Sequence, residues 1–208
     1  RMLTRADAQT NILRITTAAF AAAIGGADVI TTSNFTDALG GPTPFARRVA
    51  RNTQHVLLEE CRLGHVADPA GGSWFVEKLT RELADKAWAL LQQIEAQGGI
   101  VAALQSGWLQ NAIGEARTAR QRAIATRRET ITGVTDFPLL GAKAPEVDAT
   151  DRRLPAGKTA ANALPTIRWA EPFEKLRDNA EAKAPSVFFA NLATLPEFGP
   201  RSQFSRNL

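Results

Sequence analysis

The sequence predicts an α/β fold, and three observations predict it. A glycine, a short β-branched run, a loop and a helix occur in that order after Gly26. The same order returns after Gly64, about 40 residues on, a normal size for one βα unit. Both runs, Asp28–Thr32 and His65–Asp68, are short and apolar enough to be buried parallel neighbours. Two strands neither close a barrel nor complete an open sheet, so the remaining strands are expected from residues outside this sequence. No signal peptide precedes Arg1, and a start at arginine suggests a trimmed N-terminus or a stretch of a longer chain.

Taken in order, residues 1–9 are polar and turn-like. The apolar spacing of Ile12, Ile15, Ala19, Phe20 and Ala23 predicts a helix over 10–24, stopped by Gly25-Gly26. Residues 33–42 form a polar loop, and Thr43-Pro44 supplies an N-cap with proline in the first turn. That helix runs to about Cys61 with Phe45, Val49, Thr53, Val56 and Leu57 inward. Ser73 then caps a helix of about six turns, with Val76, Leu79, Leu83, Leu90 and Ile94 as its core stripe. Glu77/Arg81 and Glu82/Lys86 are favourable pairs on its wet face. Shorter helices are predicted over 100–106, 109–128 and 172–183. Residues 130–138 read as extended, 139–163 as a Pro-, Ala-, Gly- and charge-rich linker, and 186–192 as a further buried strand.

The 208 residues carry a net charge of +4, with much of the excess in 117–128 and 143–177. A nucleic-acid binder would also show a recognised motif or aromatics interleaved with the basic run, and neither is present. No apolar run approaches the ~20 residues of a membrane helix. The single cysteine, Cys61, cannot form an internal disulfide and suits a reducing cytoplasm; it reads as a small apolar filler. His55 and His65 lack metal-ligand spacing, and His65 reads as a packed or hydrogen-bonded side chain.

Several stretches resemble one family. Ala46-Arg47-Arg48-Val49-Ala50-Arg51-Asn52-Thr53-Gln54 is similar to the A-R-R/I-A-R-N-T-Q helix of methylmalonyl-CoA mutases. Val66 to Glu77 resembles their V-x-D-P-x-G-G-S-Y/W-x-V-E turn. Leu3-Thr4-Arg5, Asp7, Asn11 and Arg14 are similar to L-T-x-x-D-P-Y-N-N-x-x-R, and Phe188 to Leu195 to F-L-A-N-L-G-T. The resemblance implies the C-terminal part of a TIM (β/α)8 barrel with its following helices over 1–130, a linker over 131–185, and the first strand of a flavodoxin-like cobalamin domain over 186–208. It also implies adenosylcobalamin, bound by the complex rather than by this segment, an acyl-CoA substrate and a homologous mutase subunit as partner in a heterodimer.

The departures from that family bear on activity. Asp28-Val29-Ile30-Thr31-Thr32-Ser33 stands where catalytic subunits have Gln-Ser-Leu-His-Thr-Asn, and Thr36-Asp37-Ala38-Leu39 where they have Asp-Glu-Ala-Leu. The resemblance therefore places Asp28 and Val29 at substrate-facing positions and Asp37 and Ala38 at the cofactor-facing ones. It supplies no catalytic residue and no metal ligand, since neither histidine lies in the D-x-H-x-x-G motif. The pattern is most like the small subunit, and the segment alone is expected to be inactive. Two functions follow: part of an adenosylcobalamin-dependent isomerase of methylmalonyl-CoA and succinyl-CoA, or a structural partner that stabilises a catalytic homologue. Each candidate has a plainer alternative. Asp68-Pro69 with Gly71-Gly72 could hold a ligand or make a tight turn. Asp37 could meet a ribose or form a cap. Arg47, Arg48 and Arg51 could meet a CoA phosphate or be a solvated face.

Overall fold

The structure, a computed structural model, describes residues 2–139, 141–149, 163–183, 186 and 188–206. Its regular elements are helices: α1 (Thr10–Ile24), α2 (Pro44–His55), α3 (Trp74–Ala96), α4 (Gly99–Gln105), α5 (Trp108–Ala125), α6 (Glu171–Lys183) and α7 (Leu195–Arg206). A π-helical turn, Val56–Glu60, extends α2, and the Cys61 N–H closes it on the Val56 carbonyl at 2.9 Å.

The predicted caps place the helices. Thr43 accepts from the Ala46 N–H at 3.2 Å, with Pro44 opening α2. Gly25 N–H closes α1 on the Ala21 carbonyl at 2.9 Å. Gly98 (φ 91°) and Gly107 (φ 80°) take the left-handed conformation that separates α3, α4 and α5. Ser73 stands at the N-cap of α3 without a side-chain cap bond; Glu77 instead accepts from the Gly72 N–H at 3.3 Å. The wet-face ion pair on α3 is Lys78–Glu82 at 3.8 Å, displaced from the two expected pairs.

One hydrophobic core joins α1 and α2. Ala8, Ile15, Phe35 and Ala46 are buried there, with Leu3, Ile12, Leu39 and Val49 packed against them. Phe35 meets Phe45 edge-on, ring centroids 6.3 Å apart. Helix α6 ties back to the N-terminal segment: the buried Glu174 accepts from the Arg5 N–H (2.6 Å) and the Ala6 N–H (3.2 Å) and pairs with Arg168, while Arg5 pairs with Asp178. Arg177 donates to the Val134 carbonyl. Helices α3, α4 and α5 pack in succession.

The fold class is corrected by this architecture. No β-strand occurs among the described residues, so neither the end of a TIM barrel nor the first strand of a flavodoxin-like domain is present. Backbone pairing is limited there to isolated bridges, Gly41 with Asp148 and Thr132 with Asp136. The runs 28–32 and 188–192 are irregular. Their β-branched and aromatic residues favour a pleated surface, but a strand exists only where a neighbour receives its N–H and C=O groups. Residues 65–68 fail for a local reason: positive φ at Arg62 (54°), Asp68 (48°) and Gly72 (78°) winds them into turns. Residues 130–138 are likewise a knot rather than an extended run, with the Val134 and Thr135 N–H groups both returning to the Ile131 carbonyl at 2.9 Å. Of the expected linker, 140, 150–162 and 184–185 lie outside the described residues, as does Val187 of the expected C-terminal strand. The α3 stripe is not a core stripe either: no residue of α3 is buried.

Candidate functional site

The loop between α1 and α2 is held by one buried polar hub. Asn11, fully buried in α1, accepts at Oδ1 from the Thr4 N–H at 2.9 Å and from Arg14 Nη1 at 2.8 Å. Its Nδ2 donates to the Thr4 carbonyl (2.7 Å) and to the Phe35 carbonyl (2.9 Å). Arg14 also reaches Thr4 Oγ1 at 3.0 Å and the Thr132 carbonyl. Burial pushes the Arg14 guanidinium below its ordinary pKa, against an upward pull from Asp7. The hub fixes Phe35 and, through it, the loop that carries Asp37.

The sequence-predicted site residues do not converge. Asp28 and Ile30 line one hollow of about 390 Å³ with Ala19, Ala23, Leu57 and Leu58. Val29 is 83% exposed and lines a different hollow, with Met2, Ile15 and Ala22. Asp37 is engaged locally: its carboxylate accepts from the Asn34 N–H and from Asn34 Nδ2, both at 3.1 Å. Ala38 is half-buried beside it. The Asp68 carbonyl accepts from the Gly71 N–H at 2.9 Å in a tight turn. Cys61 is exposed, so it fills no core, and His65 is exposed as well.

Instead, a groove of about 370 Å³ forms between the loop and α2, lined by Thr32, Asn34, Arg47, Ala50, Arg51, Gln54, His55 and Leu58. Gln54 Nε2 donates to Thr32 Oγ1, and Thr32 Oγ1 donates to the Ala50 carbonyl, both at 2.9 Å. These bonds lock the loop to the helix. Arg47, Arg51 and His55 recur every fourth residue and stack along one ridge of α2. Arg47 donates to the Pro42 carbonyl at 3.0 Å and lies 4.0 Å from Asp148. No carboxylate among the described residues lies within ion-pair distance of Arg51 or His55. Sequence reasoning left Arg47, Arg48 and Arg51 open between a CoA phosphate and a solvated face; the spacing of four was the available signal, and the loop that makes a second wall was not visible.

Comparison with known proteins places this geometry in a family. The model of the methylmalonyl-CoA mutase family matches residues 1–183. The chain belongs to the methylmalonyl-CoA mutase family. A methylmalonyl-CoA mutase small subunit of Streptomyces virginiae is 44% identical over all of this chain and 34% of its own length. The small subunit of Propionibacterium freudenreichii subsp. shermanii is 42% identical over 99% of this chain and 32% of its own. A methylmalonyl-CoA mutase of Rhizobium meliloti is 42% identical over 64% of this chain and 19% of its own. The chain thus spans about a third of the length of the small subunits it matches.

Among the described residues no group of three or more His, Cys, Asp or Glu side chains could hold a metal ion. Asp37, which the resemblance put toward the cofactor, bonds Asn34 through both of its carboxylate oxygens. None of the described helices is long and apolar enough to cross a membrane.

Proposed function

We propose that the full-length protein is the small subunit of a methylmalonyl-CoA mutase, completing a heterodimer with a homologous catalytic subunit. The complex isomerises methylmalonyl-CoA and succinyl-CoA in the cytoplasm, with adenosylcobalamin supplying the radical chemistry from the catalytic subunit. One observation carries the reading: similarity to small subunits extends over the whole chain, whereas similarity to the R. meliloti mutase stops at 64% of it.

The site chemistry agrees with a supporting role. On this reading Asp28 and Val29 stand at substrate-facing positions, and Asp37 and Ala38 at cofactor-facing ones. A substrate carboxylate about 4 Å from Asp28 would meet repulsion of about 4 kcal/mol at an effective dielectric of 20. That is half of the roughly 8 kcal/mol of a micromolar affinity. Val29 offers no hydrogen bond to offset it. We further propose that the chain divides near residues 130 and 185.

The test is methylmalonyl-CoA turnover by the purified full-length protein with adenosylcobalamin, with and without a catalytic homologue. Turnover is expected only with the homologue present. Robust turnover by the lone protein would overturn the assignment.

A further inference from the structure

Helix α6 is held by polar contacts rather than by apolar burial. Leu176 is 61% exposed, and the buried residue of α6 is Glu174. A buried carboxylate is costly unless donors surround it, and where they do, it fixes one arrangement. Glu174 Oε1 accepts from the Arg5 N–H (2.6 Å) and the Ala6 N–H (3.2 Å), and Oε2 pairs with Arg168. These two N–H groups follow Thr4 in the chain, and Thr4 belongs to the Asn11 hub.

We propose that Glu174 is a positioning residue for the loop 34–40, acting on it through the Asn11 hub, so that the seating of α6 sets the loop. Two routes connect them, and both end on Asn11 Oδ1. The first runs from Glu174 to the Arg5 and Ala6 N–H groups and along the backbone to Thr4, whose N–H donates to Asn11 Oδ1 at 2.9 Å. The second starts at Arg177, three residues on and on the same side of α6. Arg177 donates to the Val134 carbonyl, in the knot whose Thr132 carbonyl accepts from Arg14. Arg14 Nη1 in turn donates to Asn11 Oδ1 at 2.8 Å. Oδ1 and Nδ2 of Asn11 belong to one planar amide, so a shift at either is a shift of both. Nδ2 holds the Phe35 carbonyl at 2.9 Å, and Phe35 stands inside the loop. This inference stands apart from the mutase reading, because it rests on these bonds alone.

The test is amide hydrogen exchange of the full-length protein. It is read at Asp37 and Leu39, whose N–H groups bond the Asn34 and Thr36 carbonyls within the loop, with α3 as the reference. Glu174→Ala leaves the Arg5 and Ala6 N–H groups without their acceptor. It should speed loop exchange about tenfold, the factor for one lost buried hydrogen bond, and leave α3 unchanged. Glu174→Gln keeps an oxygen for those N–H groups, so it should restore most of the protection of the loop although the Arg168 pair is lost. In an Asn11→Ala background Glu174→Ala should add nothing further at the loop, because the connection is already cut. Loop exchange unchanged by Glu174→Ala overturns the proposal. So does a rise by the same factor in α3, which would assign Glu174 to general stability, and so does a full additive effect in the Asn11→Ala background. Should Glu174→Ala fail to fold, the unaltered protein is followed in graded low denaturant. The amides of α6, of residues 4–6 and of Asp37 and Leu39 should then open as one unit with a common slope, and different slopes overturn the proposal.

Discussion

Two buried side chains in the same loop region make opposite predictions. Asn11 makes five hydrogen bonds at once, among them those to the Thr4 N–H and the Phe35 carbonyl. Asn11→Ala would orphan buried groups at about 1–3 kcal/mol each and release the loop that carries Asp37. Chemical denaturation of the full-length protein should show a loss of at least 2 kcal/mol by that estimate; a loss below ~0.5 kcal/mol would show that the hub is not coupled to stability. Thr36 is equally buried, but its Oγ1 has no hydrogen-bond partner among the described residues. Replacing that hydroxyl by a methyl removes an unmet desolvation cost, so Thr36→Val should be neutral or stabilising by up to about 1 kcal/mol. A clear destabilisation in the same denaturation series would mean that the hydroxyl is partnered in solution. Asn11 and Arg14 were legible in sequence as motif positions, whereas the absence of a partner for Thr36 depends on atoms brought from elsewhere.

At the scale of the element, α7 shows what a local signal can do. Thr194-x-x-Glu197 is a capping box with Pro196 in the first turn. Glu197 Oε2 accepts from the Thr194 N–H at 2.9 Å and from its hydroxyl at 2.7 Å. The signal is local and stands in the sequence next to the run 186–192. The Thr194 hydroxyl, followed by its backbone N–H, lowers the Glu197 pKa from the ordinary 4.5. A carboxylate depressed by folding contributes stability above its unfolded pKa and loses it as pH falls through the lower folded value. Helicity of a peptide covering 192–206 should therefore hold above pH 4.5 and decline below it. Glu197→Gln should flatten that decline, and an unchanged acid limb in Glu197→Gln would assign the loss to another group. The neighbouring turn makes a steric prediction: a Cβ at Gly71 would collide with the Asp68 carboxylate and sit 3.1 Å from the Asp68 carbonyl oxygen. Gly71→Ala should loosen the entry to α3, read as faster amide exchange over 73–77.

For the whole molecule, the dominant feature is apolar surface without cover among the described residues. Trp74 is 91% exposed and Trp88 62%, both on a 23-residue helix with nothing buried. Patches of this extent mark interaction surfaces or association. The 208-residue segment on its own should bind a hydrophobic dye and elute larger than its 22.4 kDa. The full-length protein in its proposed heterodimer should show tryptophan emission shifted to the blue. Equal emission in both would place Trp74 and Trp88 in water in the assembled protein as well.

The sequence by itself determined what depends on neighbours along the chain. Thr43-Pro44, Gly25-Gly26, Gly98 and the apolar spacing of Ile12, Ile15 and Ala19 act within a turn or two, so α1 to α6 were legible with nearly their observed ends. The mutase family was legible for a similar reason, since its motifs are contiguous. Tertiary structure alone decided the rest. A β-branched run is only a candidate strand until another backbone lies beside it, and no described backbone pairs with Asp28–Thr32 or with 188–192. Asp28 and Val29 are adjacent in sequence yet line different hollows, and Asp37 is held by Asn34 in the turn that follows. The groove of Arg47 and Arg51 forms only when the Gln54–Thr32 hydrogen bond brings a loop twenty-two residues away in sequence against the helix, and no local pattern encodes a contact of that separation.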